Sequence, residues 1–299
     1  MLLRFEELAP AQRDRLHAFI ATFGNPTLTR HPAELDRMYK GPAFTFGRTH
    51  WSVWEENRPA AVLGAVTECW EAKGEVYLAY IYAEPNCFHH LDRLLRRALE
   101  SLAPWCPCRL KVVANAFVPG LRAWVESKGF RLENRLVEMV LEDPGPPPMS
   151  ALTWRTVTPE YAEDFRRVHN AAFLESPNGR VKDPAAMEGA LADFAHQPDL
   201  LQLGWLDGVP AVTLSLELKQ GLEGIVDGLG VHPAFQGRGL GRQGLHHGIR
   251  TLKAHGAQRI TLSVIDSNAP AMALYRSEGF RPARTLAATY AREMKGLVP

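Results

Sequence analysis

The chain has 299 residues, of which 46% are hydrophobic, so it is long enough to bury a substantial core and to form two domains of ordinary size. Its 34 basic and 33 acidic residues leave a net charge of +1, which excludes a global field that would draw it to nucleic acid or to an anionic membrane. The first seven residues lack the apolar stretch of a signal peptide, and no run of about 18 apolar residues occurs. We therefore expect a cytoplasmic protein.

Two halves of the chain repeat the same order of predicted elements, with an offset of about 150 residues. Each half begins with a strand that leads into a helix, at residues 3–5 and 152–154. Each then has a short polar turn between two apolar runs, as a β-hairpin requires, at residues 57–60 and 207–211. Each also contains a Gly-Phe-Arg triplet, at residues 129–131 and 279–281.

A proline-rich segment at residues 142–150 separates the two halves. Prolines lack an N–H donor and fix φ, so this segment can form neither a helix nor a central strand. We predict a linker at 144–150 between an N-terminal domain at 1–143 and a C-terminal domain at 151–299.

The histidines and cysteines of the first half do not predict a metal site. Cys106-Pro107-Cys108 lacks a second cysteine pair, so reduced structural thiols are expected there and at Cys69 and Cys87. Adjacent helical residues point about 100° apart, so we interpret His89 and His90 as solvated helix surface.

A glycine-rich loop in the second half, Gln236-Gly237-Arg238-Gly239-Leu240-Gly241, follows an apolar run at 224–231 and precedes a predicted helix at 242–255. Glycines before a helix leave main-chain N–H groups free to face an anion, and the helix dipole adds partial positive charge. The spacing lacks the second half of the G-x-G-x-x-G pattern and the Lys-Ser/Thr of a P-loop. The loop predicts a phosphate cradle; taken alone, it could also be a simple turn.

A second pattern follows the predicted strand at 259–264. Asn268 precedes a short helix that contains Tyr275, and the pair Gly279-Phe280 comes directly after that helix. Together with the Q-x-x-G-x-G pattern of the loop, these residues resemble the GNAT superfamily of N-acetyltransferases. The resemblance implies an α/β fold of two tandem GNAT domains, each a mixed, mostly antiparallel sheet flanked by helices.

The same resemblance implies acetyl-CoA as co-substrate, with no metal. The CoA pyrophosphate would lie over residues 236–241, with Arg238 and Arg242 as charge-assisted partners. The pantetheine would run beside a strand at Leu229, Gly230 and Val231, which separates from the next strand. Asn268 would bind the pantetheine arm, cap its helix, or both.

Tyr275 is the expected general acid, because a phenol with a pKa near 10 can give its proton to a departing thiolate. The base is left open between Asp227 and Glu223, with His232 as a weaker candidate. Simple alternation would put Glu223, Ile225, Asp227, Leu229 and Val231 on one face of the strand. Either carboxylate could also be a local hydrogen-bonding group.

The first half is interpreted as a degenerate copy. Residues 84–91, opposite the glycine loop, contain no glycine, and Val125 stands opposite Tyr275. A tandem chain that is complete only in its C-terminal copy is similar to the mycothiol synthases in architecture.

The resemblance implies a small-molecule primary amine as acceptor. Glu175, Arg180 and Asp183 could contact it or be solvated. The alternatives are a non-catalytic CoA-binding sensor or scaffold and acetylation of a protein N-terminus. We expect no nucleic-acid or membrane partner, and a monomer or a homodimer.

Overall fold

The computed structural model describes residues 1–24, 32–68, 70–142, 152–174, 176, 182–219 and 222–294. The predicted linker at 144–150 lies outside the described residues, as do Cys69, Glu175 and Arg180. The chain divides into two compact units. The first unit is Met1–Leu136 with Thr285–Pro299, and the second unit is Val137–Arg284. In the described part of the chain, no helix combines the length and the apolar character needed to cross a membrane.

The first unit follows the predicted order of strand, helices, hairpin, strand, helix and strand. Its elements are β1 (Leu2–Arg4), α1 (Pro10–Ala21), α2 (Pro32–Tyr39), β2 (His50–Glu55), β3 (Arg58–Val66), α3 (Trp70–Lys73), β4 (Glu75–Ala83), α4 (Phe88–Leu102), β5 (Arg109–Asn115), α5 (Leu121–Ser127) and the start of β6 (Arg131–Glu142).

The second unit repeats this order from the end of β6 onward. Its further elements are β7 (Thr153–Thr156), α6 (Ala162–Phe173), α7 (Pro184–Asp193), β8 (Leu201–Leu206), β9 (Val209–Lys219), β10 (Glu223–Val231), α8 (Leu240–Ala254), β11 (Arg259–Ile265), α9 (Ala269–Ser277) and the start of β12 (Arg281–Glu293).

Each unit has a mixed sheet in which antiparallel pairs dominate, as predicted. The strand order is β1-β2-β3-β4-β5-β12 in the first unit and β6-β11-β10-β9-β8-β7 in the second. The parallel pairs given by the register are β4 with β5 and β10 with β11. The two predicted hairpins join β2 to β3 and β8 to β9, with left-handed backbone at Asn57 and Asp207 that suits a tight turn.

The terminal strands cross the predicted domain boundaries. Residues 137–142 of β6 belong to the second unit, and residues 285–293 of β12 belong to the first. There β12 pairs antiparallel with β5, from Ala287 opposite Asn115 to Glu293 opposite Arg109. An alternating pattern identifies a strand and its buried face, but it does not specify which sheet the strand joins. The sequence-based boundaries at 143 and 151 therefore differ from the compact units.

Apolar faces of the helices pack on both sheets. The first unit has one core of large side chains, among them Trp51, Tyr82 and Tyr290. In the second unit α8 lies on β10, where Gly224 lets Leu252 approach so closely that a Cβ atom would lie 3.0 Å from its methyl carbons. Near the other end of the helix, a Cβ atom on Gly244 would lie 2.7 Å from Leu229 Cδ1, so the first part of α8 packs on the end of β10.

One prediction about the first unit is wrong. His89 is exposed, but His90 is only 5% exposed and its Nε2 lies 2.8 Å from Glu55 Oε1, so the pair is not simply a solvated surface. The error arises because the 100° rotation that exposes one residue of a helix turns its neighbour toward the core. Cys87, Cys106 and Cys108 are free thiols, as predicted.

Candidate active site

A β-bulge at Asp227 shapes strand β10. Val226 pairs with Leu216 of β9, but Gly228 pairs with Ser215, so Asp227 is an extra residue without a partner in the register. The predicted alternation is therefore wrong beyond this point. Ile225 shares its face with Glu217 and Ser215, whereas Leu229 and Val231 follow Leu214 and Val212 on the opposite face. Beyond the bulge, the side chains of β10 therefore lie on the opposite faces from those that simple alternation predicts.

Strands β10 and β11 pair only at their beginnings. The parallel register runs from Glu223 opposite Arg259 to Val226 opposite Leu262, although β10 continues to Val231 and β11 to Ile265. Beyond the bulge, β10 keeps its pairing with β9 on the other side. The main-chain groups of residues 228–231 that face β11 are thus available to a ligand, as the predicted separation of these strands requires.

The glycines of β10 permit close approach of neighbouring groups. A Cβ atom on Gly230 would lie 2.8 Å from Phe173 Cε2 and 2.9 Å from Thr213 Oγ1, and one on Gly228 would lie 2.6 Å from Ser215 Oγ. Helix α6 therefore packs directly against the main chain of β10.

The glycine-rich loop has the backbone geometry that its sequence predicts. After a short 3₁₀ turn at Pro233–Phe235, the Gln236 side-chain amide donates to Val231 O at 3.1 Å and ties the loop to the strand. Gly237 and Gly239 have φ of +75° and +74°, in the left-handed region that other residues rarely adopt. Gly239 is the N-cap of α8.

The loop presents a series of unsatisfied donors. Among the described residues, no main-chain acceptor is recorded for the N–H groups of residues 237–242. The first N–H groups of a helix have no intrahelical partner, and the helix dipole concentrates partial positive charge at the same end. This geometry suits an anion such as a phosphate.

The two arginines of this region differ in their contacts. The guanidinium of Arg238 lies 5.5 Å from the centroid of the Phe235 ring. Arg242 Nε contacts Glu278 Oε1 at 2.6 Å, and its Nη2 donates to Ser277 Oγ at 3.0 Å. The Arg242 side chain is thus already paired with a neighbouring carboxylate, whereas no such pair holds Arg238 among the described residues.

Sequence reasoning missed Glu278. Its second oxygen lies 2.6 Å from His246 Nε2, so this one carboxylate connects two residues of α8 to the end of α9. The signal that could have found it is its position directly before the Gly-Phe pair. The Glu278 carboxylate thereby holds the first part of α8, which follows the glycine-rich loop, against the end of α9, which carries Tyr275.

Helix α9 positions the predicted acid. Asn268 is the N-cap, and its Oδ1 accepts from Ala271 N at 3.3 Å, which confirms the capping role. Tyr275 packs against the core, with its ring centroid 6.0 Å from that of Phe280. Burial raises the pKa of Tyr275 to about 12, so the phenol stays protonated through the neutral range.

The three candidate bases have different environments. Glu223 Oε1 accepts from Arg259 Nη1 at 2.6 Å and from Thr261 Oγ1 at 3.3 Å, so that carboxylate is engaged. His232 Nδ1 accepts from Ala234 N at 3.2 Å and caps the 3₁₀ turn. Asp227 is exposed at the bulge, and no hydrogen bond or ion pair from the described residues is recorded for it.

The region predicted to contact an acceptor is partly described. Asp183 caps α7 by accepting from Ala186 N at 2.7 Å. The side chain of Asn170 bonds the main-chain N–H and carbonyl of Lys182, at 2.7 and 2.9 Å. These contacts fix the end of α6 relative to the start of α7.

Comparison with known proteins gives a match over the segment that contains this site. Residues 154–280, which contain the bulged strand, the loop and α9, match the model of the acetyltransferase (GNAT) family. The segment that contains the candidate site is therefore similar to the GNAT family. The family resemblance read from residues 236–241 and 268–280 is confirmed.

Similar proteins include the mycothiol acetyltransferase of Clavibacter michiganensis subsp. michiganensis. It is 32% identical over 182 residues, which cover 58% of this chain and 59% of the relative. The mycothiol acetyltransferase of Beutenbergia cavernae is 42% identical over 87 residues, 28% of this chain and 29% of the relative. The matches thus span less than two thirds of the length of either relative.

A solved structure covers the whole chain. The tandem GNAT protein from the clavulanic acid biosynthesis pathway superposes with a TM-score of 0.63 at 17% identity, over 100% of this chain and 98% of its own. At this identity the likeness shows the fold alone. It confirms the tandem GNAT architecture predicted from the repeat.

The first unit keeps the GNAT strands but fills the space between them. Its β4 pairs with β5 only from Glu75 to Leu78, as β10 does with β11. Counted from the start of each nine-residue strand, Tyr80 and Tyr82 stand where the second unit has Gly228 and Gly230. Tyr82 is buried, and its hydroxyl lies 3.5 Å from Asn115 Nδ2 on β5. The side chain of Tyr82 therefore reaches across from β4 to β5, whereas Tyr80 packs against Tyr39 and Phe44.

Proposed function

We propose that the chain transfers the acetyl group of acetyl-CoA to the primary amine of a small molecule. One observation carries the proposal: the half-paired strand β10 ends in a glycine loop whose unsatisfied N–H groups continue into the N-terminus of α8. This combination offers main-chain partners for an extended arm and, directly after it, a cradle for a pyrophosphate. It supports CoA binding in the second unit rather than in the first.

The donor contacts follow from the geometry. The N–H groups of Gly237, Gly239, Leu240 and Gly241 would bind the pyrophosphate together with the Arg238 guanidinium. Arg242 would contribute its main-chain N–H, since its side chain is paired with Glu278. The main-chain groups of residues 229–231 that face away from β9 would bind the pantetheine, except Val231 O, which accepts from the Gln236 side chain, and Asn268 would flank the arm.

The transfer is a direct attack of the neutral amine on the thioester carbonyl, which forms a C–N bond and breaks the C–S bond. A main-chain N–H between Leu229 and Val231 stabilises the developing oxyanion. Tyr275 gives its proton to the departing thiolate, and a water held by Asp227 takes the proton of the amine. Glu223 is a structural ion-pair partner in this scheme, because Arg259 and Thr261 already engage it.

A small-molecule acceptor is supported by the relatives named mycothiol acetyltransferases. It is also supported by the packing of Phe173 on Gly230, which brings α6 against the strand that would carry the thioester. An amine held between α6 and the bulge would reach the carbonyl from the side of Asp227.

The test is CoA release from acetyl-CoA with a panel of acceptors: simple primary amines, a cysteine-linked amino sugar and a peptide with a free N-terminus. Released CoA is measured by chromatography, because acceptor thiols would react with a thiol dye. We expect release with at least one small amine. CoA binding without release by any acceptor would show a binding protein, and release with the peptide alone would show an N-terminal acetyltransferase.

A further inference from the structure

Three metal-ligating side chains meet in the first unit, far in sequence from the GNAT site. One ligand atom each of Glu55, His89 and His90 lies within 4.8 Å of the other two. The His89 and His90 ring centroids are 3.9 Å apart, and His90 Nε2 is 2.8 Å from Glu55 Oε1. Among the described residues, no other group of three His, Cys, Asp or Glu side chains converges in this way.

The backbone of the first unit holds these residues together. Glu55 ends β2, directly before the tight turn in which Glu56 and Asn57 have left-handed φ of 43° and 66°. The two histidines lie in the first turn of α4, which begins at Phe88 and packs on β2. The end of β2 and the first turn of α4 thus supply the three residues of the cluster.

The three side chains differ in their exposure to solvent, in a way that suits metal binding. His90 is only 5% exposed, and within the described part of the chain its buried Nδ1 has no hydrogen-bond partner. Glu55 and His89 are exposed, so their side chains can rotate toward a shared ion at little cost. One ligand is therefore fixed by packing, and the other two can close around it.

The chemistry of the three side chains indicates which metal ion they would bind. Two imidazoles and a carboxylate favour Zn²⁺, because Mg²⁺ and Ca²⁺ prefer oxygen ligands alone. Zinc bonds of roughly 2.0–2.1 Å put tetrahedral ligand atoms roughly 3.3 Å apart, so the cluster needs only small side-chain movements. The carboxylates of Glu55 and Glu84 line the same cavity. Their negative charge offsets the partial positive charge at the N-terminus of α4, which would otherwise repel a cation.

We propose that Glu55, His89 and His90 form a Zn²⁺ site in the first unit, with the fourth position taken by water. The site ties the end of β2 to the start of α4. It borders a cavity of about 1140 Å³ that is lined by Glu55, Arg15 and Cys87, among others.

The experiment is a titration of the untagged full chain with ZnCl₂ in competition with a chromophoric chelator. The background carries Cys106→Ser and Cys108→Ser, so that exposed thiols outside the site do not compete. We expect one equivalent to bind, and we expect His89→Ala and Glu55→Gln each to weaken binding at least about 10-fold. Both residues are exposed, so these variants should keep the fold, which circular dichroism checks.

His255→Ala is the matched control, because His255 Nε2 also lies 2.6 Å from a carboxylate, that of Asp199, but without a second histidine. It should bind Zn²⁺ as the parent does. Zn²⁺ should also raise the thermal midpoint of the parent and not that of His89→Ala. The absence of a stoichiometric site, or parent-like binding by both His89→Ala and Glu55→Gln, would overturn the proposal.

Discussion

Gly230 and Phe173 are so close that any side chain at position 230 would displace the helix. A Cβ atom on Gly230 would lie 2.8 Å from Phe173 Cε2 and 3.0 Å from the Cβ of Ala172. The contact sets the spacing between α6 and β10, and in the proposed enzyme that spacing is the width of the acceptor site.

Gly230→Ala should therefore lower the free energy of unfolding by about 1–3 kcal/mol, because the added methyl group overpacks a filled space. Urea denaturation measures the change. Gly189→Ala is the matched control: it lies in α7, where the added Cβ would meet no described atom within 4 Å beyond its own helix backbone, and it should stabilise the chain by about 0.5–1 kcal/mol. Equal stability of Gly230→Ala and the parent would contradict the packing.

Tyr275→Phe should reduce turnover by about 10²-fold or more while CoA affinity hardly changes, because only the proton donor is removed. The phenol has a pKa of about 12, so the parent should show no loss of activity from Tyr275 ionisation below about pH 11. Steady-state kinetics and CoA titration separate the two effects. If turnover and affinity fell equally, Tyr275 would only pack against the cofactor.

Asp227→Asn and Glu223→Gln form a matched pair on one strand. If Asp227 holds the water that accepts the amine proton, its amide variant should lower kcat/KM by about 10²-fold or more with an unchanged thermal midpoint. Glu223→Gln should instead keep its activity and lose stability, since it breaks the 2.6 Å contact with Arg259. Loss of activity in Glu223→Gln together with full activity in Asp227→Asn would instead make Glu223 the base.

Much of the second unit could be predicted because local chemistry determines it. The left-handed glycines of the loop, the Asn268 cap and the start of α8 near residue 240 follow from residue types that suit few other conformations. The repeat likewise predicted both hairpins and the order of elements. These features depend on interactions between residues close in sequence.

The features that could not be predicted depend on partners distant in sequence. The bulge at Asp227 appears only in the register of β10 with β9, and it reverses the face of Leu229. The pairing of β12 with β5 joins residues about 175 positions apart. The ion pair of Arg242 with Glu278 and the contact of His90 with Glu55 are also tertiary contacts, for which neither propensity nor periodicity gives a signal.

Arg238→Ala should weaken CoA binding about 10-fold or more, because a charge-assisted hydrogen bond to the pyrophosphate is lost. Arg242→Ala should have a smaller effect, since Glu278 already holds that guanidinium. Calorimetric titration with CoA compares the two variants. Titration with pantetheine, which lacks the pyrophosphate, is the control and should not distinguish Arg238→Ala from the parent.

His50 makes the first unit sensitive to acid. It is fully buried among the rings of Phe5, Tyr39 and Phe44, and neither ring nitrogen has a hydrogen-bond partner among the described residues. Burial, followed by the nearby charge of His17, lowers the pKa of His50 to about 3. The unfolded chain takes up this proton below about pH 6.5, whereas the folded chain does not. Stability from this group is therefore full above about pH 6.5 and is lost as the pH falls toward 3.

His50→Phe fills the same space without a titratable group and should remove this slope, which is about 1.4 kcal/mol per pH unit. Between pH 7 and pH 5 the parent should lose about 2 kcal/mol more stability than the variant. Urea denaturation at both pH values measures the difference, and the pH 7 curve checks that the variant folds. His247, whose pKa burial lowers to about 4, titrates in both proteins and cancels in the comparison. If the unfolding free energies of the parent and of His50→Phe depended on pH in the same way, the His50 ring would be protonated or hydrated in the folded chain.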